Sequence, residues 1–247
     1  YDFYQGIKSQ RRFQNIGFLK EVYQQGILPD LATQNLRIWS LNIYDKCLLL
    51  HSEQQSINVQ KYKDSHFIPV YYWAHAYIAL DWFRYAKHIT IQPATVQKQF
   101  LIYNRAWSGT REYRLKFVEL LQQYNLVNDC QTSFNPIDPE GTTHYIDHVF
   151  KNPELKPHII QDVFPTTSAG SSASADFAED DYANTRFEVV LETLFDDERI
   201  QLTEKILRPI ACGHPFILAS TAGCLKYLHG YGFKTFNGII DETYDTE

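Results

Sequence analysis

Short apolar runs alternate with segments of helical spacing along the second half of the chain. The predicted elements are, in chain order, a strand over 100–103, a helix over 110–124, a strand over 186–193, a helix from Thr203, a strand over 215–220, a helix over 223–229 and a strand over 233–236. This alternation favours an α/β sheet, in which ligands bind at the carboxyl ends of the strands.

The first half has the same character but is shorter. It carries a helical pattern over 1–45 and a buried strand over 47–50, which leads into a polar loop at 51–53. An extended segment over 67–72, a helix over 73–86 and a third strand candidate over 88–91 follow. Turn residues at 92–95 indicate a linker. We therefore predict two Rossmann-like halves, residues 1–95 and 96–247, with an irregular stretch over 128–185 that includes a mobile loop over 166–175.

Composition narrows the function classes. The chain has 247 residues and a net charge of −6. This negative charge argues against nucleic-acid binding that is independent of the nucleotide sequence. No apolar run approaches the roughly 20 residues of a membrane span, so we expect no membrane partner. Four scattered cysteines without a CxxC pair predict a reducing compartment such as the cytoplasm.

The most informative segment is the predicted helix start at Thr203, Glu204 and Lys205. Thr203 suits an N-cap, and Glu204 suits the positive end of the helix dipole. Lys205 opposes that dipole, so its position makes sense beside an anion, of which phosphate is the usual one. The alternative is a solvated first turn with a surface ion pair.

Three arginines follow the strand over 100–103. Arg105 lies in the loop after this strand, where α/β folds hold phosphate, and a guanidinium matches phosphate oxygens. Arg111 and Arg114 fall in the predicted helix. The alternative is a set of ordinary surface charges, which we favour for Arg114.

A third candidate is His51-Ser52-Glu53, where an imidazole or carboxylate could act as general base on a hydroxyl. The alternative is an ordinary polar loop. The chain has no Walker loop, GxGxxG, GxSxG, HExxH or CxxC motif, and His144 and His148, four residues apart, are a weak metal signal. We therefore expect chemistry without a metal or a separate cofactor.

A family resemblance adds to these patterns. The donor-binding half of GT-B glycosyltransferases, in particular the fucosyltransferase and exostosin-like groups, resembles residues 98–247. The matching residues are Phe187, Glu192-Thr193, Thr203-Glu204-Lys205, Pro209, Pro215-Phe216-Ile217 and Gly232 to Phe236, with Phe100 to Arg105 and the Arg111 helix. The tail over 225–245 is similar to that of glycosyltransferase-like proteins of tailed bacteriophages. For a phage-encoded protein, the resemblance implies localisation in the cytoplasm of the host cell.

The resemblance implies that Lys205 and Arg105 hold a donor diphosphate and that Glu204 contacts the ribose. Thr203 and Arg111 lie in the same matching segments and are expected at the donor site. It also implies that the loop of His51 carries the base, with Glu53 as the candidate.

These observations together predict a metal-independent glycosyltransferase that moves a sugar from a nucleotide-diphosphate sugar to a hydroxyl. The acceptor could be a glycan, a protein or a hydroxymethylated DNA base. For DNA, Trp107 and the basic cluster of Arg105, Arg111, Arg114 and Lys116 could assist. Two alternatives stay open: a non-catalytic phage structural or interaction protein that retains the fold, and another phosphate-handling enzyme such as a nucleotide hydrolase.

Overall fold

A computed structural model describes residues 49–57, 59–60, 70–72, 95–139, 143–160, 177–195 and 197–246. The chain divides into two compact units, Tyr1–Trp73 and Ala74–Glu247. The helices predicted over 1–45 and 73–86, the strand over 88–91 and the loop over 166–175 lie outside the described residues. The predicted boundary near residue 95 stays a prediction.

The first unit contains a pair of short parallel strands, β1 (Leu49–His51) and β2 (Val70–Tyr72). Leu49 lies opposite Val70, and His51 lies opposite Tyr72. The strand predicted over 47–50 is confirmed for residues 49 and 50, and the extended segment predicted over 67–72 is confirmed for residues 70–72. The two strands run parallel.

The second unit is built on a parallel sheet of four strands in the order β4-β3-β5-β6. The strands are β3 (Lys98–Tyr103), β4 (Cys130–Ser133), β5 (Thr185–Leu191) and β6 (Phe216–Ala219). The described α-helices are α1 (Tyr113–Gln123), α2 (Glu179–Ala183), α3 (Glu204–Cys212) and α4 (Cys224–Gly230). Single 3₁₀ turns occupy Gly109–Arg111, Val127–Asp129, Tyr145–Asp147, Pro153–Leu155 and Thr243–Thr246.

Both faces of this sheet are covered. Alternate residues of β5 point to opposite faces, so Val189 and Leu191 pack with Tyr113 of α1, whereas Val190 packs with Ile206 of α3. A parallel sheet with helices on both faces needs strands that are apolar on both sides, which explains the near-continuous apolar run of β5. The described part of the second unit is therefore an α/β fold, compatible with a Rossmann-like one.

A charged pair lies inside this core. The guanidinium of Arg208 on α3 pairs with the carboxylate of Glu188 on β5, and both side chains are almost fully buried. The hydroxyl of Tyr182 donates to Glu188 Oε2 at 2.5 Å and accepts from Arg208 Nε at 3.0 Å. The ring of Tyr103 lies 4.3 Å from the guanidinium carbon. Each charge thus has the partners that make its burial tolerable.

Two expectations from the sequence are wrong. The stretch over 128–185 contains β4 and α2, which have no apolar run to reveal them. Within α2, Asp181 is buried, and its carboxylate accepts from Tyr103 Oη at 2.8 Å and from Gln131 Nε2 at 2.5 Å. The strand predicted over 233–236 is not a strand in the structure.

The segment after α4 returns to the start of that helix. Asp245 Oδ1 accepts from the backbone N–H of Leu225 at 2.9 Å, and its Oδ2 accepts from that of Lys226 at 3.2 Å. The backbone oxygen of Asp245 also accepts from Gly223 N at 2.7 Å. A carboxylate from 20 residues further along the chain therefore caps the positive end of α4.

Candidate ligand-binding site

The strand order reverses between β3 and β5, because the chain leaves β3 towards β4 on one side and leaves β5 towards β6 on the other. In open α/β sheets, ligands bind at such a switch point, beyond the carboxyl ends of the strands. The loops over 104–112 and 192–203 follow β3 and β5, so they define the candidate site.

A buried carboxylate organises the end of β5. Glu192 is fully buried, and it accepts from Thr203 N at 3.0 Å, from Thr203 Oγ1 at 2.6 Å and from Thr193 N at 3.2 Å. These bonds fix the first residues of α3 against the strand end. In the sequence, Glu192 is part of a segment that resembles the family, and no role was predicted for it. The local feature that could have identified it is a carboxylate directly after an apolar strand.

Lys205 lies in the same place. Its Nζ is 3.1 Å from Thr203 Oγ1, 3.2 Å from Glu204 Oε1 and 3.4 Å from Thr193 Oγ1. The side chains of Lys205 and Glu204 are only 16% and 10% exposed. Lys205 and Glu204 therefore form an ion pair that is largely buried at the end of β5. This contradicts the alternative of a solvated first turn. We call Glu192, Thr193, Thr203, Glu204 and Lys205 the β5 cluster.

The predicted helix start is confirmed. Thr203 is the N-cap of α3, and its Oγ1 accepts from Lys205 N at 3.4 Å. Gly213 closes the helix at φ 64°, a backbone conformation that glycine adopts without strain. The first turn of a nine-residue helix thus faces the carboxyl end of the sheet with Lys205 beside it.

Arg114 links the ends of the two central strands. Its Nη1 donates to Ala106 O at 2.6 Å, and its Nη2 donates to Leu191 O at 2.5 Å and to Glu192 O at 3.0 Å. The side chain is buried, so the expectation of a surface charge is wrong. Arg114 stabilises the switch point by satisfying carbonyl groups that end the strand ladder.

Tyr113 completes this link. Its hydroxyl donates to Glu192 O at 2.6 Å, and its ring stacks on Phe195 with centroids 4.4 Å apart and planes inclined by 13°. Burial raises the pKa of Tyr113 to about 12, although the nearby guanidinium of Arg114 opposes this shift. The phenol is therefore neutral at physiological pH and acts as a hydrogen-bond donor.

Arg105 lies after β3 and is partly buried. Its Nε is buried and has no hydrogen-bond partner among the residues that the structure describes. The preceding residue, Asn104, is fully buried, and its backbone N–H donates to Ser133 O at 3.1 Å. The end of β3 thus carries unsatisfied polar atoms beside the switch point, which agrees with the predicted position of Arg105 after that strand.

The backbone amides of Trp107 and Ser108, in the loop after β3, are bound by a side-chain carboxylate. Asp138 Oδ2 accepts from Trp107 N at 3.0 Å and from Ser108 N at 2.5 Å. Arg111 lies in a 3₁₀ turn rather than in the helix, and its Nε donates to Ser108 O at 3.1 Å. An internal carboxylate therefore occupies the pair of backbone donors that a phosphate would otherwise bind. Trp107 is fully buried, so the idea that it assists DNA binding is wrong.

The predicted base residues belong to the first unit. His51 ends β1, and its Nδ1 is 2.9 Å from the backbone oxygen of Glu53. A carbonyl oxygen only accepts, so Nδ1 carries the proton, and Nε2 is the acceptor of the neutral ring. Glu53 is half-buried. His51 thus has the tautomer that a general base of its kind requires.

The histidines at 144 and 148 have structural roles. His148 Nε2 lies 2.8 Å from the buried carboxylate of Glu112, and His144 Nδ1 accepts from Ile146 N at 3.2 Å. Within the described ranges, no group of three or more His, Cys, Asp or Glu side chains is arranged to hold a metal ion. Among those same residues, no helix has the length and apolar character to cross a membrane.

The structure therefore brings Thr203, Glu204 and Lys205 together at the end of β5 and places Arg105 at the end of the neighbouring strand. Comparisons of the chain with protein-family models, with curated proteins and with solved structures find no match in any of the three.

Proposed function

We propose that this protein is a glycosyltransferase that uses a nucleotide-diphosphate sugar. The observation that carries the proposal is the β5 cluster, a capped helix start with a largely buried lysine at the carboxyl end of β5. Ordinary helices place acidic groups in the first turn, so a lysine held there by two hydroxyls and one carboxylate suits an anionic ligand.

The proposed chemistry follows from where charge develops. When the bond between the sugar and the diphosphate breaks, negative charge builds on the leaving phosphate oxygens. The Nζ of Lys205 and the first amides of α3 would stabilise that charge in a site that is poorly exposed to water, where such interactions are strong. This role needs no metal ion, and Arg105 at the neighbouring strand end would add a second cation.

Glu204 has two roles in this proposal. Its carboxylate pairs with Lys205 at 3.2 Å, which holds the ammonium in position before a ligand binds. It also offers acceptor oxygens to the hydroxyl groups of a ribose. Thr203 and Glu192 act as positioning residues, because their hydrogen bonds fix the start of α3 on the strand end.

The acceptor hydroxyl must lose a proton during transfer. Within the first unit, His51 Nε2 is the candidate base, since Nδ1 is committed to the backbone oxygen of Glu53, and Glu53 is the second candidate. We propose a glycan or protein hydroxyl as acceptor. A hydroxymethylated DNA base is less favoured, because Arg114 and Trp107, which were expected to contact DNA, are buried.

The test measures donor binding to the full chain by thermal unfolding with UDP, GDP and their sugar conjugates. A donor at about 100 times its Kd stabilises the folded state by about 2.7 kcal/mol. For a chain of this size that raises Tm by roughly 5–10 °C. We expect this shift with one nucleotide class, and we expect Lys205→Ala to abolish most of it.

Lys116→Ala is the matched control. Lys116 also forms an ion pair with a glutamate, Glu119 at 2.5 Å, but on α1 away from the strand ends. This variant should keep the full shift. If no nucleotide or nucleotide sugar stabilises the wild-type chain, the proposal is wrong. The alternative of a non-catalytic interaction protein would then be favoured, in line with the Asp138 carboxylate on the amides after β3.

A further inference from the structure

An aromatic ring lies exposed beside the β5 cluster. Phe195 is 43% exposed, although its ring stacks on Tyr113, which is almost fully buried. Because Tyr113 covers one face of the Phe195 ring, the accessible part is the opposite face and the edge. An apolar surface of this kind, backed by a second ring, suits a flat partner.

The backbone just before Phe195 is held by three hydrogen bonds. The backbone oxygen of Glu192 accepts from Tyr113 and Arg114. Leu194 is buried, and its backbone oxygen accepts from Thr221 N at 3.1 Å. The backbone that precedes the ring is therefore anchored at two carbonyl groups, which lowers the entropic cost of ordering it on binding.

We propose that Phe195 is the stacking platform for the nucleobase of the donor, an inference that rests on the proposed function. Lys205 Nζ is 3.4 Å from Thr193 Oγ1, and Phe195 follows Thr193 by two residues, a span of at most about 7 Å along the backbone. Lys205 and Phe195 therefore belong to the same end of β5, and we infer that a nucleotide with its diphosphate at Lys205 reaches the ring through its ribose. A flat π ring, rather than a puckered sugar, makes full use of the face of Phe195.

The experiment is isothermal titration of the full chain with UDP, GDP and inorganic pyrophosphate. Stacking of a base on an aromatic side chain gives an expected loss of about 5–150-fold in nucleotide affinity for Phe195→Ala. Phe195→Trp keeps an aromatic face and should retain the affinity. Pyrophosphate has no base, so its Kd should not change in Phe195→Ala, whereas Lys205→Ala should weaken both pyrophosphate and nucleotide.

Two further variants keep the inference falsifiable. Phe195→Leu preserves apolar contact with Tyr113 without an aromatic face, and it should weaken nucleotide binding like the alanine variant even if alanine perturbs folding. Tyr124→Ala removes an exposed aromatic at the end of α1 and should change nothing.

The outcomes separate the two proposals. An equal loss of nucleotide and pyrophosphate binding in Phe195→Ala and Phe195→Leu would show a structural role and overturn the platform. Unchanged nucleotide binding in both would also overturn it, while binding that depends on Lys205 would leave the proposed function standing. If the wild-type chain binds neither nucleotide, both proposals fail.

Discussion

Replacing Arg208 by Met tests whether the buried ion pair in the core is held by charge or by packing. Met is close to Arg in length and fills most of the same space. In Arg208→Met, the carboxylate of Glu188 keeps the hydroxyl of Tyr182 as a donor but loses the guanidinium that pairs with it. Glu188 is fully buried, so solvent cannot replace the guanidinium.

The expected cost follows from that stranded charge. Removing one partner of a buried ion pair typically destabilises a protein by about 3–5 kcal/mol. In this chain the interaction between Arg208 and the ring of Tyr103, at 4.3 Å, is lost as well. Since about 1.4 kcal/mol is a factor of ten, the population of opened molecules should rise by about two to nearly four orders of magnitude.

Hydrogen exchange of the full chain, read on peptides that cover β5 and α3, measures this change directly. The matched variant is Arg208→Met with Glu188→Gln, which removes the stranded charge and leaves an acceptor for Tyr182. We expect the double variant to recover at least half of the lost protection. If it exchanges as fast as Arg208→Met alone, the destabilisation comes from packing, and the reasoning from charge is refuted.

Three further predictions concern single side chains. Thr203→Ala removes the N-cap of α3 and a bond to Glu192, so urea unfolding should show a loss of about 1–2 kcal/mol, with a smaller loss for Thr203→Ser. Asp138→Ala leaves the amides of Trp107 and Ser108 without their acceptor and should cost about 1–3 kcal/mol by the same assay, whereas a smaller cost than for Asp138→Asn would contradict this. Burial lowers the pKa of His214 to about 4, so as the pH falls the unfolded chain binds a proton before the folded chain does. The contribution of neutral His214 to the free energy of unfolding is fully present above about pH 6.5 and is lost as the pH falls towards 4. Tm plotted against pH should therefore be flatter for His214→Gln.

Local patterns predicted the elements that carry their own signal. The apolar run of β5 and the Thr203-Glu204-Lys205 helix start were found because strand hydrophobicity and capping act over a few residues. β4 was missed because Cys130-Gln131-Thr132-Ser133 has little apolar character. It becomes a strand through its pairing with β3, which no local pattern contains.

In the candidate site, too, residues with a local sequence signal were predicted and residues that depend on distant contacts were not. Lys205 was placed correctly because its conflict with the helix dipole is local. Arg114 was misassigned because the carbonyl groups that bury it belong to Leu191 and Glu192, 77 and 78 residues further along the chain. Phe195 was not recognised at all, since an aromatic after a strand becomes informative only when its stacking partner, Tyr113, is known.

The cap that Asp245 places on α4 has a consequence for synthesis on the ribosome. The amides of Leu225 and Lys226 are made 20 and 19 residues before the carboxylate that binds them. At about 5–20 residues per second, they remain without that partner for about one to four seconds. Tyr244, which packs on the core beside Leu218 and Leu225, arrives at the same time. We therefore expect β6 and α4 to complete their packing only after residues 244 and 245 have left the ribosome.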